Sequence, residues 1–252
     1  MIHGGIVMII DKGQLIRDKH GEQVLENYTA KLVSFEALYE IVDLMQRVYN
    51  SLPNKDVLFV DSYEELFEDL QKGAKIIGIY GERNQLICFR YVSFPGYENR
   101  NHGYDLGTII PHSEFDKVCQ LETTIVDIPY RGNNLQSITL GLMIPIIKEL
   151  GYKHLVCTIS PYNYHSVKNI MKHGLKIKSL KKKYARKEDG SDGIWRYILH
   201  GKIGEELGTD DYDLVNIDMT DIETQLELIN KGYIGFEIDA EKEYIKFIKY
   251  NK

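Results

Sequence analysis

The stretch from Val118 to Leu150 sets the tightest limits on what this chain can fold into. Val118 to Ile128 is an apolar run of strand length, and Pro129 ends it because proline cannot donate to a β-ladder. Ser137 to Leu150 carries the apolar residues of a helix. Between them lies one short turn, Tyr130-Arg131-Gly132-Asn133-Asn134-Leu135-Gln136. A strand that passes through such a turn straight into a helix leaves the first main-chain N–H groups of the helix pointing outwards together. With the positive end of the helix dipole behind them, they suit a pyrophosphate. Pro145 is expected to kink this helix, with Gly141 one turn earlier easing the bend.

The flanking segments give the order of elements. Ser34 stands where it can cap a helix whose stripe is Phe35, Leu38, Ile41, Val42, Met45 and Val48. Ser62-Tyr63-Glu64-Glu65 reads as a capping box for a short second helix that Gly73 ends. Ile76 to Tyr80 and Leu86 to Val92 are strands joined by a hairpin turn, and residues 94 to 107 read as a loop over a site or a disordered tip. After the central helix come a buried strand, Leu155 to Ile159, and a short helix, Ser166 to His173, closed by Gly174. Strands at 177–184 and 194–203 flank the polar loop 187–193. This order predicts an α/β (α+β) fold with a mixed, mostly antiparallel sheet and helices on both faces. An acidic stretch after Gly204 marks a boundary. Beyond it a helix capped at Thr220-Asp221-Ile222-Glu223 and a closing hairpin form a small appendage. The expected division is an N-terminal segment, 1–27, a main domain, 28–204, and the extension, 205–252.

Composition narrows the function. The 252 residues, 43% hydrophobic and 27% charged, can bury a core without disulfides or metal. No apolar run reaches membrane-spanning length, and Met1 to Ile10 lack the marks of a secretory signal, so a cytoplasmic protein with no membrane partner is expected. Cys88, Cys119 and Cys157 lie in apolar segments and are expected as reduced core thiols. The histidines show no metal spacing, so no metal is expected. A net charge of −6 argues against a nucleic acid partner. The seven cations between Lys176 and Lys187 read as a solvated hairpin edge, the alternative being a site for phosphates or an acidic partner.

On these residues the chain resembles the GNAT superfamily of N-acetyltransferases over about positions 28 to 203. Arg131 matches the first position of the family's coenzyme motif, with Gly132 beside it; Asn134 and Gln136 stand where small residues are usual. Asn163, Ser166 and Gly174-Leu175 keep the spacing of a second motif, whereas Ile170 stands where many members carry a tyrosine that protonates the departing thiolate. The resemblance implies acetyl-CoA as co-substrate, held at Arg131, Gly132, Asn133, Asn134, Leu135, Gln136, Ser137 and Asn163. Main-chain groups of Thr124 and Val126 would hold its pantetheine arm. It also implies Glu122 as general base through water, the alternative being an exposed strand residue, and Ser166 as a candidate for the missing acid. The activity so implied is transfer of an acetyl group to a primary amine of a small molecule, with the tail after Gly204 covering the acceptor site or making a homodimer contact. A non-catalytic acyl-CoA sensor or scaffold is the alternative, favoured by Ile170.

Overall fold

The computed structural model describes residues 8–19, 21–185, 190, 192–205, 211–239, 241 and 243–251. Arg186 and Lys187 of the basic stretch, most of the 187–193 loop, and Glu206 and Asp210 of the acidic stretch lie outside these residues. The chain divides into two compact units, residues 1–55, 59–94 and 122–146 in one and residues 56–58, 95–121 and 147–252 in the other.

The first unit opens with two strands that the sequence reading did not anticipate. β1 (Ile9–Lys19) and β2 (Glu22–Leu32) form a long antiparallel hairpin whose turn uses Gly21 at φ +88°. β2 pairs with β3 (Lys75–Tyr80), and β3 with β4 (Leu86–Ser93), both antiparallel. β3 and β4 are buried almost throughout, which is why they read as continuous apolar runs rather than alternating ones. Between β2 and β3, α1 (Leu38–Ser51) buries Leu38, Ile41, Leu44, Met45 and Val48. Ser34 does not cap this helix: its hydroxyl bonds the carboxylate of Glu36, and a 3-10 turn, Phe35–Ala37, leads in. The capping box of α2 (Tyr63–Gln71) is formed as expected, with Ser62 and Glu65 bonding each other's main-chain N–H.

β5 (Val118–Val126) begins in the second unit and ends in the first. In the second unit its start pairs in parallel with β6 (His154–Ile159), and this ladder runs from Val118 to Gln120. Antiparallel neighbours then follow: β6 with β8 (Ile194–Lys202), and β8 with β7 (Lys176–Lys183). β10 (Ile234–Asp239) joins β7 at Gly235, β11 (Tyr244–Tyr250) follows, and β9 (Tyr212–Asp218), within the acidic stretch, forms the last strand. The fold is thus mixed α/β with a mostly antiparallel sheet. α3 (Leu135–Glu149) starts two residues earlier than its apolar pattern suggested and continues through Pro145. α5 (Ile222–Asn230) is capped by Asp221, which accepts from the N–H of Thr224; Thr220 bonds Asp218 instead.

Residues 94 to 107 are packed rather than loose. Asn101 bonds Gly96 and Gly103, Gln120 accepts from the N–H of His102, and Leu106 enters a core cluster with Ile110, Phe115, Val118, Val156 and Ile198. The basic strand is largely paired: Lys181 and Lys183 meet Asp105, Lys182 meets Asp192, and Lys176 donates to the carbonyl of Phe236. Burial alone would raise the Asp105 carboxyl, but hydrogen bonds from His102 and Lys183 hold it well below the usual range. The three cysteines are buried thiols that form no disulfide among the described residues, and burial pushes the Cys88 thiol up to about 12. The junction of β10 with β7 is tight, since a Cβ on Gly235 would lie 2.8 Å from the Cβ of Ile177. Gly235→Ala is therefore expected to destabilise the protein by ~1–3 kcal/mol, read as a lower urea midpoint and faster amide exchange in β10 and β11.

Candidate active site

The sequence-predicted residues of the first unit lie on the second half of β5 and on the turn into α3. After Val126 the chain leaves the ladder. Asp127 donates its N–H to the carbonyl of Ile87 and caps a 3-10 turn, Ile128–Tyr130, in which Pro129 stands at the position where its missing N–H costs nothing. Tyr130 is buried and its hydroxyl is held by Gln85 at 2.9 Å and Glu26 at 3.1 Å. The chain then reverses at Gly132 (φ +85°) and Asn134 (φ +56°) and enters α3 at Leu135. Asn tolerates this left-handed region better than other side chains, which explains its place where small residues are usual.

This turn leaves a row of donors. The carbonyl of Asn134 accepts from the N–H groups of Ser137 and Ile138, and that of Ile128 from Arg131. The N–H groups of Gly132, Asn133, Asn134 and Leu135 have no acceptor among the described residues. Arg131, Gly132 and Asn134 are exposed, and a Cβ on Gly132 would meet nothing within 4 Å. Consecutive free amides around left-handed residues, at the positive end of a 15-residue helix, are the kind of donors an anion requires. The residues present therefore fit a pyrophosphate. Two predicted ligands are engaged elsewhere, however. The Asn133 side chain bonds the main chain of Ile16, and the carbonyl of Gln136 accepts from Arg90 at 2.8 Å. Leu135 is buried, so only its main chain is offered.

On β5 the parallel ladder with β6 stops at Gln120, and the main-chain groups of Thr124 and Val126 take no part in it. The hydroxyl of Thr124 is buried with no hydrogen-bond partner among the described residues. Glu122 is half-buried and accepts from the hydroxyl of Ser93 at 2.5 Å. Beside it lies a group of carboxylates that the sequence reading missed. Asp61 accepts from the Thr123 hydroxyl at 2.7 Å, and Asp69, 5% exposed on α2, accepts from the hydroxyl of Tyr91. Burial pushes the Asp61 carboxyl up to about 7, with the negative charges of Glu122, Glu65 and Asp69 adding to it against the Thr123 hydroxyl. Burial likewise drives the Tyr91 hydroxyl far above its ordinary value, so it stays a donor. The signal was in the sequence: Asp61, Glu65 and Asp69 recur every fourth residue, which places the latter two on one face of α2.

In the second unit, Asn163 caps α4 (Tyr164–Met171), and its side chain accepts from the N–H of Ser166 at 3.3 Å. Ile170 is buried in that helix. Among the described residues no group of three or more His, Cys, Asp or Glu side chains is placed to hold a metal ion, and no helix is long and apolar enough to cross a membrane.

No protein-family profile matches the sequence, and no curated protein matches it. Solved structures do. An acetyltransferase of the GNAT family from Streptococcus pneumoniae superposes with a TM-score of 0.51 at 18% identity, covering 70% of this chain and 99% of its own. The fold is that of the GNAT acetyltransferases. A GNAT superfamily phosphinothricin acetyltransferase from Sinorhizobium meliloti, solved in complex with AcCoA, gives 0.52 at 15% identity over 73% of this chain and 92% of that one. The ribosomal-protein-S18-alanine N-acetyltransferase from Escherichia coli gives 0.50 at 13% identity over 74% and 99%. In a GNAT fold the strand, turn and helix at 118–149 are the part that the sequence singled out first.

Proposed function

We propose that the protein is an acetyl-CoA-dependent N-acetyltransferase acting on a primary amine of a small molecule. The observation that carries this reading is the row of free amides from Gly132 to Leu135 at the start of α3, on a GNAT fold. Acetyl-CoA, when bound, supplies the thioester carbonyl that an amine attacks. Arg131, the amides of Gly132 to Leu135 and the start of α3 at Gln136 and Ser137 would hold its phosphates. The main chain of Thr124 and Val126, with the unpartnered Thr124 hydroxyl, would hold the pantetheine arm.

The chain's own proton chemistry falls to two carboxylates. Glu122, oriented by Ser93, accepts a proton from the acceptor's ammonium through water, leaving the neutral amine that attacks the thioester. Asp61, held by Thr123 and poised near neutrality, is a second acceptor in the same group, as perturbed carboxylates at functional sites often are. These negative charges also favour a cationic acceptor. In the second unit Asn163 caps α4, and by the family resemblance Ser166, in its first turn, would be the hydroxyl for the departing thiolate, since Ile170 stands at the usual tyrosine position.

A thiol-release assay with acetyl-CoA and a panel of polyamines, amino acids and aminoglycosides tests this. Turnover with at least one amine is expected, and Glu122→Gln should lower it about 100-fold. Tight acetyl-CoA binding with no turnover across the panel would instead support a ligand sensor on the same fold, the reading that the buried Ile170 favours. Failure to bind acetyl-CoA would sink both.

A further inference from the structure

The side chain of Asn133 does something the coenzyme motif does not require. Its Oδ1 accepts the N–H of Ile16 at 2.6 Å, and its Nδ2 donates to the carbonyl of the same residue at 2.6 Å and to the carbonyl of Tyr130 at 3.0 Å. A primary amide presents one donor and one acceptor side by side, as a peptide group does. Asn133 therefore pairs with β1 as a one-residue strand would. Ile16 lies opposite Leu25 in the hairpin, and both of its main-chain groups are given to Asn133. The contact does not stand alone. Glu26 on β2 bonds the hydroxyl of Tyr130 at 3.1 Å and Arg17 at 3.1 Å, and the Arg17 guanidinium lies 5.7 Å from the centre of the Tyr130 ring. The Nε of Arg17 is buried with no hydrogen-bond partner among the described residues.

We propose that the N-terminal hairpin is a working part of the phosphate site, with Asn133 the positioning residue that registers the amide turn against β1. This rests on the reading that the turn binds acyl-CoA. The physical reason is conformational. Two residues of the turn, Gly132 and Asn134, sit in left-handed backbone, and four neighbouring amides lack internal partners. Nothing inside such a turn keeps its donors convergent, and a turn ordered only on binding spends part of the interaction on its own ordering. Three hydrogen bonds made by the side chain in its middle fix it beforehand, and Arg17, paired with Glu26, packs beside the Tyr130 ring at its start. Residues ahead of position 28, outside the span that resembles the family, thereby set the affinity for the coenzyme's phosphates.

The test is calorimetric titration of the full chain with two probes that share a thioester and a pantetheine arm, acetyl-CoA and S-acetylpantetheine, the second lacking every phosphate. Asn133→Ala is expected to weaken acetyl-CoA about tenfold while S-acetylpantetheine changes by less than about twofold. Asn133→Asp should be worse than Ala, because it sets a carboxylate against the carbonyls of Ile16 and Tyr130. Ile16→Pro removes the N–H given to Asn133 without removing a β1–β2 ladder bond, so it should reproduce part of the loss. Combined with Asn133→Ala it should add little, the mark of a shared interaction. Unchanged acetyl-CoA affinity in Asn133→Ala overturns the proposal, and so do equal losses for both probes, which mark general loosening of the unit. If Asn133→Ala does not fold, the Ile16→Pro comparison decides by the same criterion. Absence of acetyl-CoA binding in the unaltered protein would overturn the acyl-CoA reading itself, an outcome distinct from tight binding that ignores Asn133.

Discussion

Asp61→Asn is expected to stabilise the protein by ~1–4 kcal/mol at pH 8 and to slow turnover about 100-fold in the same sample. Burial, with Glu122, Glu65 and Asp69 nearby, raises the folded-state carboxyl from 3.8 to about 7. The fold therefore favours the protonated form. As pH rises from 3.8 to about 7 the unfolded chain releases this proton while the folded chain holds it, and stability declines across that window. Asparagine mimics the protonated state: it is uncharged, nearly the same shape, and its Oδ1 still accepts the Thr123 hydroxyl. Urea unfolding at pH 8 and pH 4 checks this, with a gain at the first and almost none at the second. Equal effects at both pH values would show that Asp61 titrates normally. Turnover of the unaltered protein should climb as pH rises through about 7, where Asp61 becomes a base, and the variant should lose that rise.

Such a residue costs stability where it stands, and its most direct use is to meet a cation or a proton. Its neighbours point the same way: Tyr91 is held as a donor to Asp69, Ser93 orients Glu122, and the Thr123 hydroxyl is given to Asp61. The family resemblance pointed to Glu122 but not to its companions. Asp61 and Asp69 are 62 and 53 residues away along the chain from Thr123 and Glu122, counting from the residue numbers, and only tertiary packing brings them together. The fourth-residue recurrence of Asp61, Glu65 and Asp69 also resembles an ordinary solvated helix face.

The same division holds across the fold. Val118–Val126, Leu135–Glu149 and the two strands of β3 and β4 were legible because long apolar runs and a proline or glycine mark their ends. The turn from Tyr130 to Gln136 was legible in position but not in detail, since the pairing of Asn133 with Ile16 spans 117 residues and leaves no local signature. β1 and β9 were invisible for a common reason. Each lies at the end of its run of strands, and much of each is exposed: Ile9, Ile16, Tyr212 and Leu214 lie in solvent beside charged residues, so neither the apolar run nor the clean alternation of a buried strand develops. Ser34 and Thr220 do not cap their helices; their hydroxyls donate instead to a neighbouring carboxylate, Glu36 or Asp218, and Asp221 takes the cap of α5.

Acid should unfold the second unit through a buried pair of histidines. His154 and His200 are 2% and 6% exposed and join Nδ1 to Nε2 at 3.0 Å, while the Nε2 of His154 meets Glu114 at 2.9 Å. A carboxylate can only accept, so the Nε2–H of His154 donates to Glu114, and its Nδ1 accepts from the Nε2–H of a neutral His200. Burial, the adjoining His154, and the cations Lys178 and Lys202 push His200 down to about 3. The groups facing the pair are therefore Glu114, with Lys153 at 3.3 Å from it, and these two lysines. Hydrogen bonds from His154 and Lys153 hold Glu114 below its usual range, so it remains an acceptor as the pH first falls. For a base with a depressed folded pKa, stability is intact above the unfolded value of 6.5 and is lost as pH falls towards about 3, at ~1.4 kcal/mol per pH unit. His200→Gln keeps a polar side chain that can bond His154 and removes the titration. At pH 7.5 the variant should be no more stable than the unaltered protein. At pH 4.5 it should have lost ~2–3 kcal/mol less, read from urea unfolding at the two pH values. Parallel losses in the two proteins would show that His200 takes up its proton in the folded state.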